Sequence, residues 1–382
     1  MARRLKVLQL QTRYNAADTN SDLAVQILQG LPTERFEIVN AYLEGKPAAP
    51  INNGSWREVY FEFGEREMKG LRLGVRRRLR EFCLAEGFDV AVLHRFKAVN
   101  LFMHLNRTLR IPRCIGVSHG FGEYDRFYRR WQARRLIDDA WQFVGVSPAV
   151  CDYLTGLDCG FTSANTQSIV NALDINLAES LQLERSAART VLGLPDDVLV
   201  VGAIGRLVPI KGQVHLIQAF ARVAAQYPRS ILAIIGEGRE RARLEATIQA
   251  LGMQERVWLC GALPDAMRYV RAFDLFAMPS LQEGLGLALL EGMCGRLPVM
   301  GSSIPAMRPL LEGAGGRQFP PGDVDAMADC LAALLALDDD ARKAEGERAY
   351  AYLRREHDIE DFRRKYRQLI AGGAQREEVR DA

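Results

Sequence analysis

Val198-Leu-Val-Val-Gly-Ala-Ile204, followed by Gly205-Arg206-Leu-Val-Pro-Ile-Lys211-Gly212 and a helical pattern from Gln213 to Gln226, decides how this chain folds. A short apolar run ended by glycine reads as a buried strand. The loop and amphipathic segment after it read as the first half of a parallel crossover. The pattern repeats downstream, with a strand at Ile231 to Ile235 and a helix at Glu240 to Leu251. Further strands are expected at Val257 to Leu259, Leu275 to Met278 and Pro298 to Met300. Alternation of this kind is the pattern of an α/β sheet covered by helices on both faces.

Upstream the same alternation is already present. Strands are expected at Leu5 to Leu10, Phe36 to Leu43, Asp89 to His94, Cys114 to Ser118 and Trp141 to Val146, with helices at Ser21 to Gln29, Glu65 to Glu86 and Asn100 to Leu109. A length of 382 residues exceeds what one core usually supports. Two doubly wound domains are therefore expected, joined near Ile169 to Asp174, ahead of the helix-prone stretch Glu179 to Leu192 that Gly193 and Pro195 end. The division is 1–172, 173–355 and a closing segment 356–382, whose helix at Phe362 to Leu369 is expected to return to the first domain before a disordered tail. Beyond Pro320-Pro321-Gly322 the chain reads as helical, with an apolar helix at Met327 to Leu337.

Composition narrows the class. Hydrophobic residues at 48% and charged residues at 25% fit a soluble globular protein. No run approaches the roughly 18 apolar residues of a membrane span. The apolar stretch after Arg3 and Arg4 is broken by Gln9, Gln11 and Arg13, so it reads as a strand rather than a secretion signal. Seven cysteines without a CxxC pair read as reduced thiols in the cytoplasm. Residues 1–170 carry 24 Lys and Arg against 18 Asp and Glu, so the first half holds the positive charge.

The segment with most chemistry is Pro279-Ser-Leu-Gln-Glu-Gly-Leu-Gly-Leu-Ala-Leu-Leu-Glu-Gly-Met293, which leaves a strand and opens a helix. Gly284 and Gly286 admit close backbone approach, and helix N-terminal amides attract phosphate, so a diphosphate is the natural guest. Glu283 and Glu291, eight residues apart, would lie about 12 Å apart along a continuous helix and suit two ends of one extended ligand. The competing reading makes Glu283 a terminal helix charge and Glu291 a solvated one. The apolar neighbours Leu287 to Leu290 and Met293 argue against a solvated face. Arg206 and Lys211 occupy the strand-end loop where a pyrophosphate leaving group needs cations.

Gly205 to Gly212, Ile234-Ile-Gly-Glu-Gly238 and Glu283 to Glu291 together resemble the donor-domain motifs of the family 4 retaining GT-B glycosyltransferases, with the EX7E spacing intact. The resemblance covers residues 198–337 well and the first half loosely. It implies two Rossmann-like domains facing a central cleft, a nucleotide-sugar donor with UDP-sugar foremost, no cofactor and no metal. By the same resemblance, Arg206 and Lys211 bind the donor diphosphate, Glu291 the ribose and Glu283 the transferred sugar. Backbone at Gly284, Leu285, Gly286 and Leu287 holds phosphate oxygens, and Cys260 to Leu263 frames the base. His119, in Gly116-Val-Ser-His119-Gly120 at a strand end, corresponds to a histidine touching donor sugar or acceptor; a lone histidine is otherwise structural. Two departures stand out: Thr12 to Ser21 lacks the family's Gly-Gly pair, and Ser303-Ile-Pro-Ala-Met-Arg308 replaces its Gly-Gly-x-x-Glu.

Other motifs fare worse. Gly236-Glu-Gly238 lacks a third glycine, which disfavours a dehydrogenase. Asp323-Val-Asp325 reads as a helix cap rather than a metal motif. A sugar-nucleotide epimerase and a non-catalytic nucleotide-sugar binding module remain as alternatives. The acceptor is expected to be a saccharide or glycolipid of a bacterial envelope, and no nucleic-acid partner is expected. Arg126-Phe-Tyr-Arg-Arg-Trp-Gln-Ala-Arg-Arg135, with Arg72 to Arg80, is expected to meet an anionic membrane surface at the inner face of the plasma membrane. Two other readings stand beside it: a crossover helix with its aromatics packed on the sheet, or a site for a phosphorylated acceptor.

Overall fold

A computed structural model describes residues 3–14, 22–48 and 54–372, and within these the chain forms two compact units. The expected tail beyond residue 372 and most of the Thr12 to Ser21 segment lie outside the described residues.

The first unit spans Met1–Asn171 with Glu360–Ala382. Its elements are β1 (Leu5–Arg13), α1 (Leu23–Gln29), β2 (Phe36–Glu44), β3 (Arg57–Tyr60), α2 (Leu73–Glu86), β4 (Val90–His94), α3 (Arg95–Leu109), β5 (Arg113–Ser118), α4 (Phe127–Leu136), β6 (Trp141–Gly145), α5 (Pro148–Thr155) and β7 (Thr166–Ser168). The strands make a parallel sheet in the order β3-β2-β1-β4-β5-β6-β7. Strand order turns back at β1, as in doubly wound folds, so the carboxyl ends of β1 and β4 flank the switch point where ligands bind.

The second unit, Ala172–Ile359, adds α6 (Ile175–Leu181), α7 (Arg185–Leu192), β8 (Leu199–Ile204), α8 (Gln213–Val223), β9 (Ser230–Ile235), α9 (Arg241–Ala250), β10 (Val257–Gly261), β11 (Leu275–Met278), α10 (Leu287–Cys294), β12 (Val299–Ser302), α11 (Arg308–Ala314), β13 (Arg317–Phe319), α12 (Val324–Leu335) and α13 (Asp339–Glu356). Its parallel sheet runs β10-β9-β8-β11-β12-β13, which places the switch point between β8 and β11. The last helix, α14 (Ile359–Ala371), belongs with the first unit. There Phe362, Tyr366 and Ile370 are buried, and Arg113 donates to the Ile370 carbonyl at 2.8 Å.

Four expectations are corrected. The helix expected from Glu65 starts at Leu73, because Gly70 and Arg72 take left-handed backbone and Glu67 is spent on a turn with the Gly64 amide. The helix expected from Asn100 starts at Arg95, with no linker after β4. The stretch Glu179 to Leu192 is two helices. Between them, Gln182 accepts from Arg271 and the Leu183 amide donates to the Arg268 carbonyl, which draws the chain out of helical register. The short strands β3, β7 and β13 carry too few apolar residues to have been read.

A buried cation fixes the amino ends of the second sheet. Arg189, with no exposed surface, bonds Asp274 at 2.8 Å and donates to the carbonyls of Ala272, Pro195, Asp196 and Val198. Asp274 in turn accepts from the Val200 amide at 2.7 Å. Every charge in this clamp has hydrogen-bonding partners, the condition under which burial of an ion pair is tolerated.

Candidate functional site

In the second unit, three loops leave the carboxyl ends of β8, β9 and β11 and are laced together by backbone bonds. The Leu207 amide donates to the Glu237 carbonyl at 2.8 Å, and the Leu281 amide to the Ile210 carbonyl at 2.8 Å. Gly212 marks a close approach of the β8 and β11 loops: a Cβ there would lie 2.1 Å from the Pro279 carbonyl oxygen, and its φ of +66° is left-handed. Only glycine meets both demands without strain.

This lacing brings two of the expected residues into contact. Lys211 Nζ lies 2.5 Å from Glu283 Oε1, and both side chains are largely buried. Arg206 projects from the same loop into solvent and forms no ion pair among the described residues, while its carbonyl accepts from Gln213 Nε2 at 3.0 Å. One cation is thus already neutralised by a carboxylate, and the other is open to an incoming anion.

The segment after β11 departs from the expected continuous helix. Gly286, at φ +111°, takes a conformation that an α-helix cannot continue, so α10 begins only at Leu287 and carries no side-chain cap. Glu283 and Gly284 therefore lie in the loop, Glu291 lies on the helix, and the axial separation of about 12 Å derived from helical rise does not apply to the pair. Leu289, Leu290 and Met293 are fully buried, which anchors α10 by roughly 1.5–3 kcal/mol per side chain. Leu285 is buried, Leu287 is exposed and Glu291 is half-buried, not a solvated helix charge. Asp323 caps α12 by accepting from the amides of Asp325 and Ala326, as read from the sequence.

The first unit holds His119, just past β5, in a network that the sequence reading missed. Its Nε2 lies 3.1 Å from Nδ1 of buried His94, whose Nε2 lies 3.3 Å from Gln9 Oε1. Gln9 spends its amide hydrogens on the Ala24 carbonyl and Asn40 Oδ1, so its oxygen accepts from His94. His94 is therefore protonated on Nε2, and His119 donates from Nε2 into His94 Nδ1. The signal for His94 was available: Leu93-His94-Arg95 ends a strand just as Ser118-His119 does.

Burial, with Arg95 nearby, pushes His119 down to about 3. His94 is likewise lowered by burial and by His119. Beside them, burial raises Glu123 to about 7 against the opposing pull of Ser118 and Arg95. Its Oε2 is buried without a partner. No sequence signal singled out Glu123. The same holds for Ser280, whose buried hydroxyl after β11 lacks a protein partner.

These shifts make opposed contributions to stability. The unfolded chain protonates His119 near 6.5 and the fold does not, so stability is lost as pH falls from 6.5 towards 3. Glu123 keeps its proton in the fold up to about 7, so its contribution is lost as pH rises from about 4.5 to 7. His119→Gln retains the donor and removes the titration, and calorimetry should show a shallower fall of Tm between pH 6.5 and 4 than in the wild type. An unchanged slope would remove His119 from the acid response.

Comparison with known proteins follows the same division of the chain. Residues 184–352 match the family model of glycosyl transferases group 1. A D-inositol 3-phosphate glycosyltransferase of Corynebacterium urealyticum is 34% identical over 172 residues, 42% of this chain and 40% of that protein. The lipopolysaccharide core biosynthesis glycosyltransferase LpsE of Rhizobium meliloti is 31% identical over 184 residues, 48% of this chain and 53% of that protein. The chain thus aligns with about half, or less, of the length of these curated relatives. Likeness of fold reaches further: HepE of Anabaena, solved with UDP and glucose, superposes with a TM-score of 0.77 over 99% of this chain and 100% of that one, at 20% identity. The fold is GT-B.

Proposed function

We propose that the chain is a retaining glycosyltransferase that moves a hexose-type sugar from a nucleoside-diphosphate sugar to a saccharide or glycolipid acceptor of a bacterial envelope. The observation that carries this reading is the Lys211–Glu283 pair beside the glycine-opened N-terminus of α10, with Arg206 free on the same loop. A diphosphate arriving there meets one open cation, a helix N-terminus and a lysine that can exchange its carboxylate partner for phosphate. Arg206 and Lys211 then hold the diphosphate, Glu291 the ribose and Glu283 the hydroxyls of the transferred sugar. Gly284, Leu285 and Gly286 present backbone to the phosphate oxygens. His119, neutral and oriented by His94, offers its remaining ring nitrogen to a hydroxyl.

The donor class is supported by the UDP held in the solved HepE, and the acceptor class by the likeness to LpsE, a glycosyltransferase of lipopolysaccharide core biosynthesis. Transfer breaks the bond from the anomeric carbon to phosphate as the acceptor oxygen bonds on the same face. The acceptor proton passes to the leaving phosphate. The seven cysteines are free thiols, which suits a reducing compartment, and we place the reaction in the cytoplasm.

A thermal-shift series with UDP-, GDP- and ADP-sugars tests the reading. The cognate donor at about 100 times its Kd should add about 2.7 kcal/mol to stability. No shift with any of them would sink it. Turnover should persist in EDTA, because Arg206, Lys211 and the α10 terminus supply the positive charge; a strict requirement for added Mg²⁺ or Mn²⁺ would contradict the metal-free scheme.

A further inference from the structure

Among the described residues, six of the eleven large hydrophobic side chains left exposed fall between residues 71 and 131, so they form a feature rather than scatter. Leu71 and Leu73, at the start of α2, are 73% and 68% exposed; Phe127 and Trp131, one turn apart on α4, are 80% and 62% exposed. The only buried residue of α4 is Ala133, so its aromatics do not pack on the sheet, and the crossover-helix reading of this segment fails.

The two helices are both tied to α3. Arg72 donates to Asn100 Oδ1 at 2.6 Å, and Asn100 donates to Gln132 Oε1 at 3.0 Å, which links α2 through α3 to α4. Arg72 also lies within electrostatic reach of Tyr128 and Arg129. Around this patch Arg72, Arg76, Arg80, Arg126, Arg130 and Arg135 form no ion pair with a carboxylate among the described residues. The neighbouring arginines have only loose ones, Arg77–Glu81 at 3.9 Å and Arg134–Asp158 at 3.6 Å.

We propose that this face of α2 and α4 docks the protein on an anionic bilayer, with Phe127, Trp131, Leu71 and Leu73 entering the interface and the arginines meeting headgroup phosphates. Unneutralised arginine alone would serve any polyanion. The exposed leucines decide for lipid, because an aliphatic side chain gains nothing from a phosphate chain or a stacked base but gains from acyl chains.

Sedimentation of the full chain with vesicles of phosphatidylcholine, alone or with graded phosphatidylglycerol, tests the proposal without any nucleotide sugar. Its failure and the failure of glycosyl transfer are therefore independent. Pelleting should rise with phosphatidylglycerol content and fall with salt. Removing Arg126 and Arg130 together as glutamines should weaken partitioning by one to two orders of magnitude, at about fivefold per arginine. Phe127→Ser with Trp131→Ser should weaken binding while preserving its salt dependence. Tryptophan emission should shift to the blue with anionic vesicles in the wild type and not in Trp131→Phe. All these side chains are exposed, and unchanged Tm checks that the variants fold. Equal, negligible pelleting with neutral and anionic vesicles overturns the proposal, even if inorganic phosphate or an oligonucleotide binds instead. Wild-type pelleting by both paired variants overturns it as well.

Discussion

Lys211→Met should lower the rate of nucleoside diphosphate release by about 10²- to 10³-fold, the usual effect of deleting a group that stabilises developing charge. The fold should persist but weaken, because Glu283 is left largely buried without its cation. The side chains retain 19% and 14% exposure, so about 2 kcal/mol is expected, below the 3–5 kcal/mol of a fully buried pair. Adding Glu283→Gln should recover stability and leave turnover low, which separates the chemical role of Lys211 from its structural one. Glu291→Ala should lower turnover to a similar degree. Turnover within about tenfold of the wild type in folded Lys211→Met would take the lysine out of the reaction.

Gly212→Ala should be strongly disruptive for a single added methyl group. The added carbon falls 2.1 Å from the Pro279 oxygen, in left-handed backbone. A loss of about 3 kcal/mol is expected, which lowers Tm by about 6–12 °C for a unit of this size. Gly193 supplies the control, since it has the same φ of +66° and nothing within 4 Å of its would-be Cβ. Gly193→Ala should show only the left-handed penalty of about 1–2 kcal/mol. Equal melting temperatures for the two variants would refute the contact as the cause. Gly212→Ala should also depress turnover, because Lys211 is its chain neighbour and the Pro279 loop carries Glu283.

The central strands and the donor loops were legible in sequence for one reason: their signals are local. The strand Leu275–Met278 was read to the residue, and β8 to within one. Contiguous apolar runs announce buried parallel strands, and glycines announce the loops. What could not be read depended on residues distant in the chain. The break between α6 and α7 is imposed by Arg268 and Arg271, the latter 89 residues beyond Gln182. The Lys211–Glu283 pair joins positions 72 apart. The pairing of His119 with His94 requires that β4 and β5 be neighbours, which no spacing states. The start of α10 at Leu287 depends on the left-handed turn at Gly286, which the EX7E pattern does not encode.

The Arg189–Asp274 clamp grips the second sheet at the amino ends of β8 and β11, whereas Lys211, Glu283 and the α10 terminus leave from the carboxyl ends of the same strands. Each strand is thus pinned at one end and furnished at the other. Loop substitutions that retune the guest need not loosen the clamp, and damage to the clamp need not first show as altered selectivity. A laboratory library confined to residues 205–212 and 279–286 should therefore yield variants that differ in the sugar they accept but melt together. One randomised around Arg189 and Asp274 should yield variants that differ in lifetime but share a donor.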